Sequence, residues 1–391
     1  MSPINQGRQH DRNRSALPHM NIPYLDLKAQ NSRFRSQIMR AIGEVLSSGT
    51  FCAGAAVDGF ESAFAQACGT KHAVAVGSGT EALWFALLAH GVGHGDEVVT
   101  AAITGIPTIE AICLTGARPV FADADPRTYT INPEAFARIV SRRTKAVVPG
   151  HLFGQMAEMD AILEIANSHG IAVIEDAADA LGADDLGRKA GSLGDCGCFN
   201  FYPSKSLGAI GHAGAVVTHD RHVADRIRML CNHGRSHDNR HHHPGWTGKI
   251  DAIQAAVLIV KLKHLEHDNT RRRAHAATYH QALNGLSGVA SPLVREGTRH
   301  AHHIHALRVR DRLRLLTLLD EYEIGYAIHH PVPTHLQPGY RFLGHKEGDF
   351  PVAEACAREF VSLPIDPQLD REQIDTIADV VREACGASVA A

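Results

Sequence analysis

Between about residue 35 and residue 265, short apolar runs alternate with longer stretches of helical periodicity. The runs at 72–76, 97–103, 119–122, 146–149, 171–174, 197–201 and 213–218 read as strands. Between them, 80–89, 106–114, 133–138 and 159–168 read as helices. Alternation of this kind predicts an α/β fold: a mainly parallel sheet with helices on both faces. An amphipathic stretch at 251–266 runs on into the basic segment Arg271–Arg273 and reads as one long bridging helix. Beyond about 285 the order becomes strand (302–309), helix (312–322), strand (362–364) and helix (371–385), which predicts a smaller C-terminal α+β domain. The expected division is therefore a polar, disordered extension at 1–20, a large α/β domain at 21–265 and a small domain at 266–391.

Length and charge bound the function. A chain of 391 residues has room for a large core and a lesser one. Its formal charge of -3 gives no basic field for nucleic acid or anionic lipid. No apolar run approaches the ~18 residues of a spanning helix, and no hydrophobic stretch follows Arg8, Arg12 and Arg14 as a secretory signal would require. Eight cysteines without CxxC spacing read as reduced thiols, and the expected location is cytoplasmic.

Three segments carry chemistry. In Val74-Ala75-Val76-Gly77-Ser78-Gly79-Thr80-Glu81-Ala82 a strand turns through small residues into a helix, so backbone N–H groups can approach a phosphate. The same residues match the dinucleotide fingerprint GxGxxA, which leaves a nicotinamide-dependent oxidoreductase open. Against it, Asp96 and Glu97 precede the next strand, whereas a ribose-binding acid would end it. In Ile171–Asp179 an apolar strand ends in acids, and a carboxylate there can hold a protonated pyridine nitrogen. In Cys198–Gly208 a strand stops at Pro203 and delivers Lys205 among small residues; a lysine in a confined site can attack an aldehyde.

Taken in order, GSGTEAL (77–83), EDAADALGA (175–183) and FNFYPSKSLGAIG (199–211) resemble the DegT/StrS family of sugar aminotransferases, a branch of the fold-type-I pyridoxal-phosphate enzymes. Similar stretches at 148–155, 231–236, 325–333, 348–354 and 362–364 extend the resemblance from about residue 22 onward. It implies pyridoxal 5'-phosphate as cofactor, Lys205 as Schiff-base lysine and proton shuttle, and Asp176 as partner of the pyridinium nitrogen. It also implies a phosphate held around Ser78, Gly79 and Thr80, with Asn200 where the family commonly has serine. Asn232 would reach the phosphate across a subunit interface, which implies a homodimer with shared sites. The implied reaction takes an amino group from glutamate or glutamine, through a pyridoxamine phosphate form, to a keto-sugar (nucleotide-linked) or a keto-cyclitol. Three departures stand out: Asp179 for the usual Gln or His near the cofactor's 3-oxygen, Gly105 for a stacking aromatic ring, and His212 where an acid is frequent. Asp179 and His212 are expected to form a compensating pair. A homologue that binds the cofactor without turnover remains the non-enzymatic alternative.

Of the 27 histidines, 241–243 and the group His300, His302, His303 and His305 invite a metal reading, but neither has the helical spacing with an acid that HExxH provides. No metal is expected. His329 and His330, before Pro331-Val332-Pro333, are the candidates for touching substrate.

Overall fold

The computed structural model describes residues 21–236 and 238–386; the extension at 1–20 lies outside them. Strands β1 (His72–Val76), β2 (Glu97–Ala101), β3 (Arg118–Ala122), β4 (Thr144–Val148) and β5 (Ala172–Asp176) come first along the chain. The short pair β6 (Asp184–Asp185) and β7 (Arg188–Lys189) precedes β8 (Cys196–Asn200) and β9 (Gly214–Thr218). Seven of these make the main sheet, in the order β1-β9-β8-β5-β4-β2-β3. All neighbours are parallel except β9, which runs antiparallel to both β1 and β8. Every residue of β2 and of β9 is buried, which accounts for the apolar neighbours at 98–99 and 215–217 in place of apolar–polar alternation. In β8 the alternation of strand side chains is plain. Phe199, with Phe201 just beyond the strand, packs edge-on to Phe64 on one face, while Cys196 and Cys198 join Trp84 and Phe85 on the other.

The C-terminal part forms a second sheet from β10 (Val289–Ala290), β12 (His305–Val309) and β13 (Phe360–Leu363), all antiparallel; β11 (Thr298–Arg299) instead pairs with β6. The helix Arg371–Gly386 packs on this layer and buries Ile374, Ile377, Val380 and Val381.

Two expectations need correction. The bridging helix is two helices, Ala252–Leu262 and Leu265–Leu283, broken at Lys263 and His264. The first packs on Arg35–Ser48 and Ala55–Cys68, the second on Arg371–Gly386, and His264 stacks on Phe34 at the break (4.5 Å between ring centres). One straight helix could not serve both layers. The strand expected from 302 begins only at His305, because His302 takes a left-handed backbone (φ 48°) that ends strand geometry.

Candidate active site

Because β2, β4, β5 and β8 run parallel, their carboxyl ends open on one side of the sheet, where α/β folds form ligand clefts. A pocket of about 220 Å³ lies there. It is lined by Gly79, Gly105, Asp176, Asp179, Asn200, Lys205, His329 and His330, so most of the residues named from sequence come together. Asp176 is the last residue of β5 and Asn200 the last of β8; Lys205 follows five residues later, in the turn beyond Pro203.

Asp176 is held from two directions. Thr108 donates from Oγ1 to Oδ2 at 2.7 Å, and the Ala178 N–H reaches Oδ1 at 3.2 Å. Burial raises its pKa and the charge of Asp179 adds to the effect, while Thr108, the Ala178 N–H and Lys205 pull it back. Thr108 lies in the first turn of the helix Ile106–Leu114, and no sequence motif singled it out.

Lys205 Nζ donates to Asp179 Oδ1 at 2.5 Å. The other oxygen of Asp179 accepts the Phe153 N–H at 3.2 Å, and His303 Nε2 lies 3.6 Å from Oδ1. Burial opposes charge on Asp179, yet Lys205, His303 and these hydrogen bonds hold its carboxyl well below the usual range. The expected partner, His212, is not among these groups; it is exposed, and its ring lies 5.6 Å from that of Tyr202. A nearby ammonium is a stronger counter-charge than an exposed imidazole, so Lys205 takes that role. Burial lowers His303 to about 3, so its imidazole is neutral at physiological pH.

The turn after β1 is tightly built. Ser78 Oγ caps the helix Gly79–Ala89 by accepting the Glu81 N–H at 3.2 Å. A Cβ on Gly79 would stand 2.5 Å from Asn200 Cβ, so only glycine lets β8 close on this helix end. Asn200 Oδ1 accepts the Tyr202 N–H at 2.9 Å, which shapes the turn leading to Lys205. Thr80 sits in the first helical turn, partly buried. At Gly105 a Cβ would meet only Pro107 Cδ at 3.5 Å, so this side of the pocket has free space.

Behind the site, Glu175 is fully buried and accepts from His151 Nε2 (2.8 Å) and from the N–H groups of Gly191, Leu193 and Gly194. His151 Nδ1 in turn accepts the Ala157 N–H at 3.2 Å. This ties the wall Gly150–Leu152 to β5.

Three of the eight non-glycine residues with a left-handed backbone among the described residues lie at or next to the pocket lining: Phe153 (φ 60°), His302 (φ 48°) and His330 (φ 52°). The turn at His302 brings His303 and Ile304 to the pocket; the expected strand hid this placement. Among the described residues, no cluster of His, Cys, Asp or Glu has the makings of a metal site, and His300 and His302 stack on each other at 3.9 Å.

Asn232 lies apart, partly buried in a separate surface depression with Arg226, Arg235 and His243. Among the described residues, no helix is long and apolar enough to cross a membrane.

The donor set fits pyridoxal phosphate. A lysine amine suits its aldehyde, a hydrogen-bonded carboxylate suits a protonated ring nitrogen, and a glycine-walled helix start suits its phosphate.

Comparison with known proteins agrees. Residues 33–382 match the model of the DegT/DnrJ/EryC1/StrS aminotransferase family. A dTDP-3-amino-3,4,6-trideoxy-alpha-D-glucose transaminase of Streptomyces venezuelae is 42% identical over 362 residues, 93% of this chain and 96% of that protein. A UDP-N-acetyl-3-dehydro-alpha-D-glucosamine 3-aminotransferase of Acidithiobacillus ferrooxidans is 39% identical over 361 residues, 92% and 97% of the two chains. The crystal structure of S. venezuelae DesV superposes with a TM-score of 0.91 at 42% identity, covering 93% of this chain and 98% of that one. The structure of NtdA from Bacillus subtilis with bound PMP superposes at 0.88 and 26% identity, covering 96% and 87%. The glycine turn at 77–79 therefore belongs to an aminotransferase and not to a nicotinamide enzyme. The chain is a pyridoxal-phosphate-dependent aminotransferase and belongs to the DegT/DnrJ/EryC1/StrS family.

Proposed function

We propose that this aminotransferase moves the amino group of glutamate or glutamine onto the ketone of a nucleotide-linked keto-sugar. The carrying observation is one pocket that holds Lys205 on Asp179 and Asp176 on Thr108, in a chain alike over nearly its full length to transaminases named for dTDP- and UDP-sugars. The bound cofactor supplies an electron-withdrawing ring that stabilises charge on the substrate carbon. Asp176 would pair with the nitrogen of that ring and favour its cationic form, and Thr108, whose hydrogen bond opposes the effect of burial on Asp176, would aim the carboxyl. Lys205 Nζ binds the cofactor and, once released, carries the proton to and from the substrate carbon. Asp179 Oδ1 accepts from that amine and orients it. Ser78, Gly79, Thr80 and Asn200 hold the phosphate end, and His329 and His330 face the substrate.

In this reading the working unit is a cytoplasmic homodimer, dividing at 265/266 into a large and a small domain, with Asn232 completing the neighbour's phosphate site. Its place outside the single-chain pocket supports that assignment. Mixing Asn232→Ala with Lys205→Ala protein tests it: subunit exchange restores activity if sites are shared.

The acceptor is tested by offering the amino-loaded enzyme a panel of dTDP- and UDP-linked keto-sugars and keto-cyclitols, and reading amino product by mass spectrometry. Turnover of a nucleotide-linked keto-sugar is expected; turnover of cyclitols alone would overturn the sugar assignment.

A further inference from the structure

A second chamber, of about 70 Å³, lies beside the Lys205 pocket and shares Ser204, His303, Ile304 and His329 with its walls. Its distinctive member is Arg272, only 6% exposed. The guanidinium donates from Nη1 to Asn269 Oδ1 at 2.9 Å, and among the described residues no carboxylate comes within 4.0 Å of it. Two acids act on it from further away. Asp268 is already paired with Arg33 at 3.0 Å, and Asp366 lines the same chamber. The oxygens of Asp366 accept from Gln30 Nε2 at 2.7 Å and the Gln368 N–H at 2.9 Å.

A buried cation without an ionic partner is costly to keep, and the charge is the kind of feature a ligand completes. Arginine offers a rigid fork that matches a carboxylate through two parallel hydrogen bonds. The site is coupled to the chemistry by proximity. Arg272 is near enough for its charge to act on His303, whose Nε2 lies 3.6 Å from Asp179, the partner of Lys205.

We propose that Arg272 binds a carboxylate of the amino donor, leaving the donor's amine in the Lys205 pocket. The chamber is small, so it takes the carboxylate group and excludes a sugar ring. Asp366, facing the same space, weakens anion binding and keeps the site releasable. This inference rests on the reading above in that the donor is an amino acid.

The test measures the half-reaction of the loaded enzyme with L-glutamate by stopped-flow absorbance, and the binding of glutarate, which carries carboxylates but no amine, by calorimetry. Arg272→Gln should raise half-saturating glutamate and the glutarate Kd by roughly 10- to 100-fold while the saturating rate changes little. Arg272→Lys, which keeps charge but loses the fork, should fall between. Asp366→Asn should act in the opposite direction, tightening glutarate by roughly threefold or more as a facing negative charge is removed. A merely structural arginine would not give opposite signs. Unchanged glutarate binding in Arg272→Gln, or weaker binding in Asp366→Asn, would overturn the proposal. If the arginine variants do not fold, the Asp366→Asn measurement decides alone. A wild type that binds glutarate but is not converted by glutamate would refute the donor assignment and leave the Arg272 site standing.

Discussion

Lys205 and Asp179 meet at 2.5 Å inside the pocket, so the amine is paired with a carboxylate three residues beyond the end of the central strand β5. Asp179→Asn removes the counter-charge and leaves the ammonium without a partner. The apo-protein should lose about 1–3 kcal/mol at pH 7. The folded-state pKa of Asp179 lies below its unfolded value, so its contribution is present above the ordinary carboxylate range and lost as pH falls through the folded value. Urea unfolding at pH 7 and at about pH 2 to 3 should therefore show the gap between variant and wild type narrowing in acid.

His305 gives a pH dependence of different origin. Its ring is 2% exposed and stacks on Tyr279 at 4.8 Å, and neither nitrogen has a hydrogen-bond partner among the described residues. Burial, with His280 adding to it, lowers its pKa to about 4 from an ordinary 6.5. Below pH 6.5 the unfolded chain takes up a proton that the native chain refuses, so stability falls as pH drops toward 4. His305→Phe removes this liability and keeps the stacking. Relative to pH 8, the variant should gain about 2 kcal/mol on wild type at pH 5, read from urea midpoints. Parallel pH profiles would contradict the assignment.

Thr108→Val removes the 2.7 Å hydrogen bond to Asp176, a group that burial already pushes toward neutrality. Cofactor affinity should fall about tenfold, measured by equilibrium dialysis, and Thr108→Ser should restore it.

Gly79→Ala places a Cβ 2.5 Å from Asn200 Cβ and 2.7 Å from Asn200 Cγ. The turn must shift, so both cofactor retention and Tm should drop. Asn200→Gly in the same chain removes the clash, and a double-mutant cycle on Tm should show coupling of about 1 kcal/mol or more. Additive effects would mean that the two residues do not meet.

Much of this architecture was legible in the sequence because strands buried on both faces leave short apolar runs, as at 98–99 in β2 and 215–217 in β9. Segment ends near the site were harder. The strand expected at 302 was displaced by one left-handed residue, His302, and period-2 alternation carries no sign of that. The break at Lys263 and His264 was hidden because both flanking helices keep helical periodicity while packing on different layers. Asp176, the glycine turn and Lys205 were visible because they end a strand or follow closely on one, and open α/β sheets bind ligands there. Thr108 reaches Asp176 from a helix start, His303 reaches the pocket from a bend, and Arg272 reaches the adjoining chamber from mid-helix, so only folding reveals them. The expected Asp179–His212 pair failed because residue spacing could not show that Lys205 stood nearer.

The central claim is that Lys205 serves an aminotransferase, and a single-turnover experiment tests it most directly. Cofactor-loaded wild type and Lys205→Ala are each mixed with L-glutamate, and 2-oxoglutarate is quantified against enzyme. One equivalent of 2-oxoglutarate per site from wild type, with the Lys205→Ala rate reduced at least about 10³-fold, is the expected result. Formation of neither 2-oxoglutarate from glutamate nor 2-oxoglutaramate from glutamine with the wild type, or equal rates from the two proteins, would contradict it.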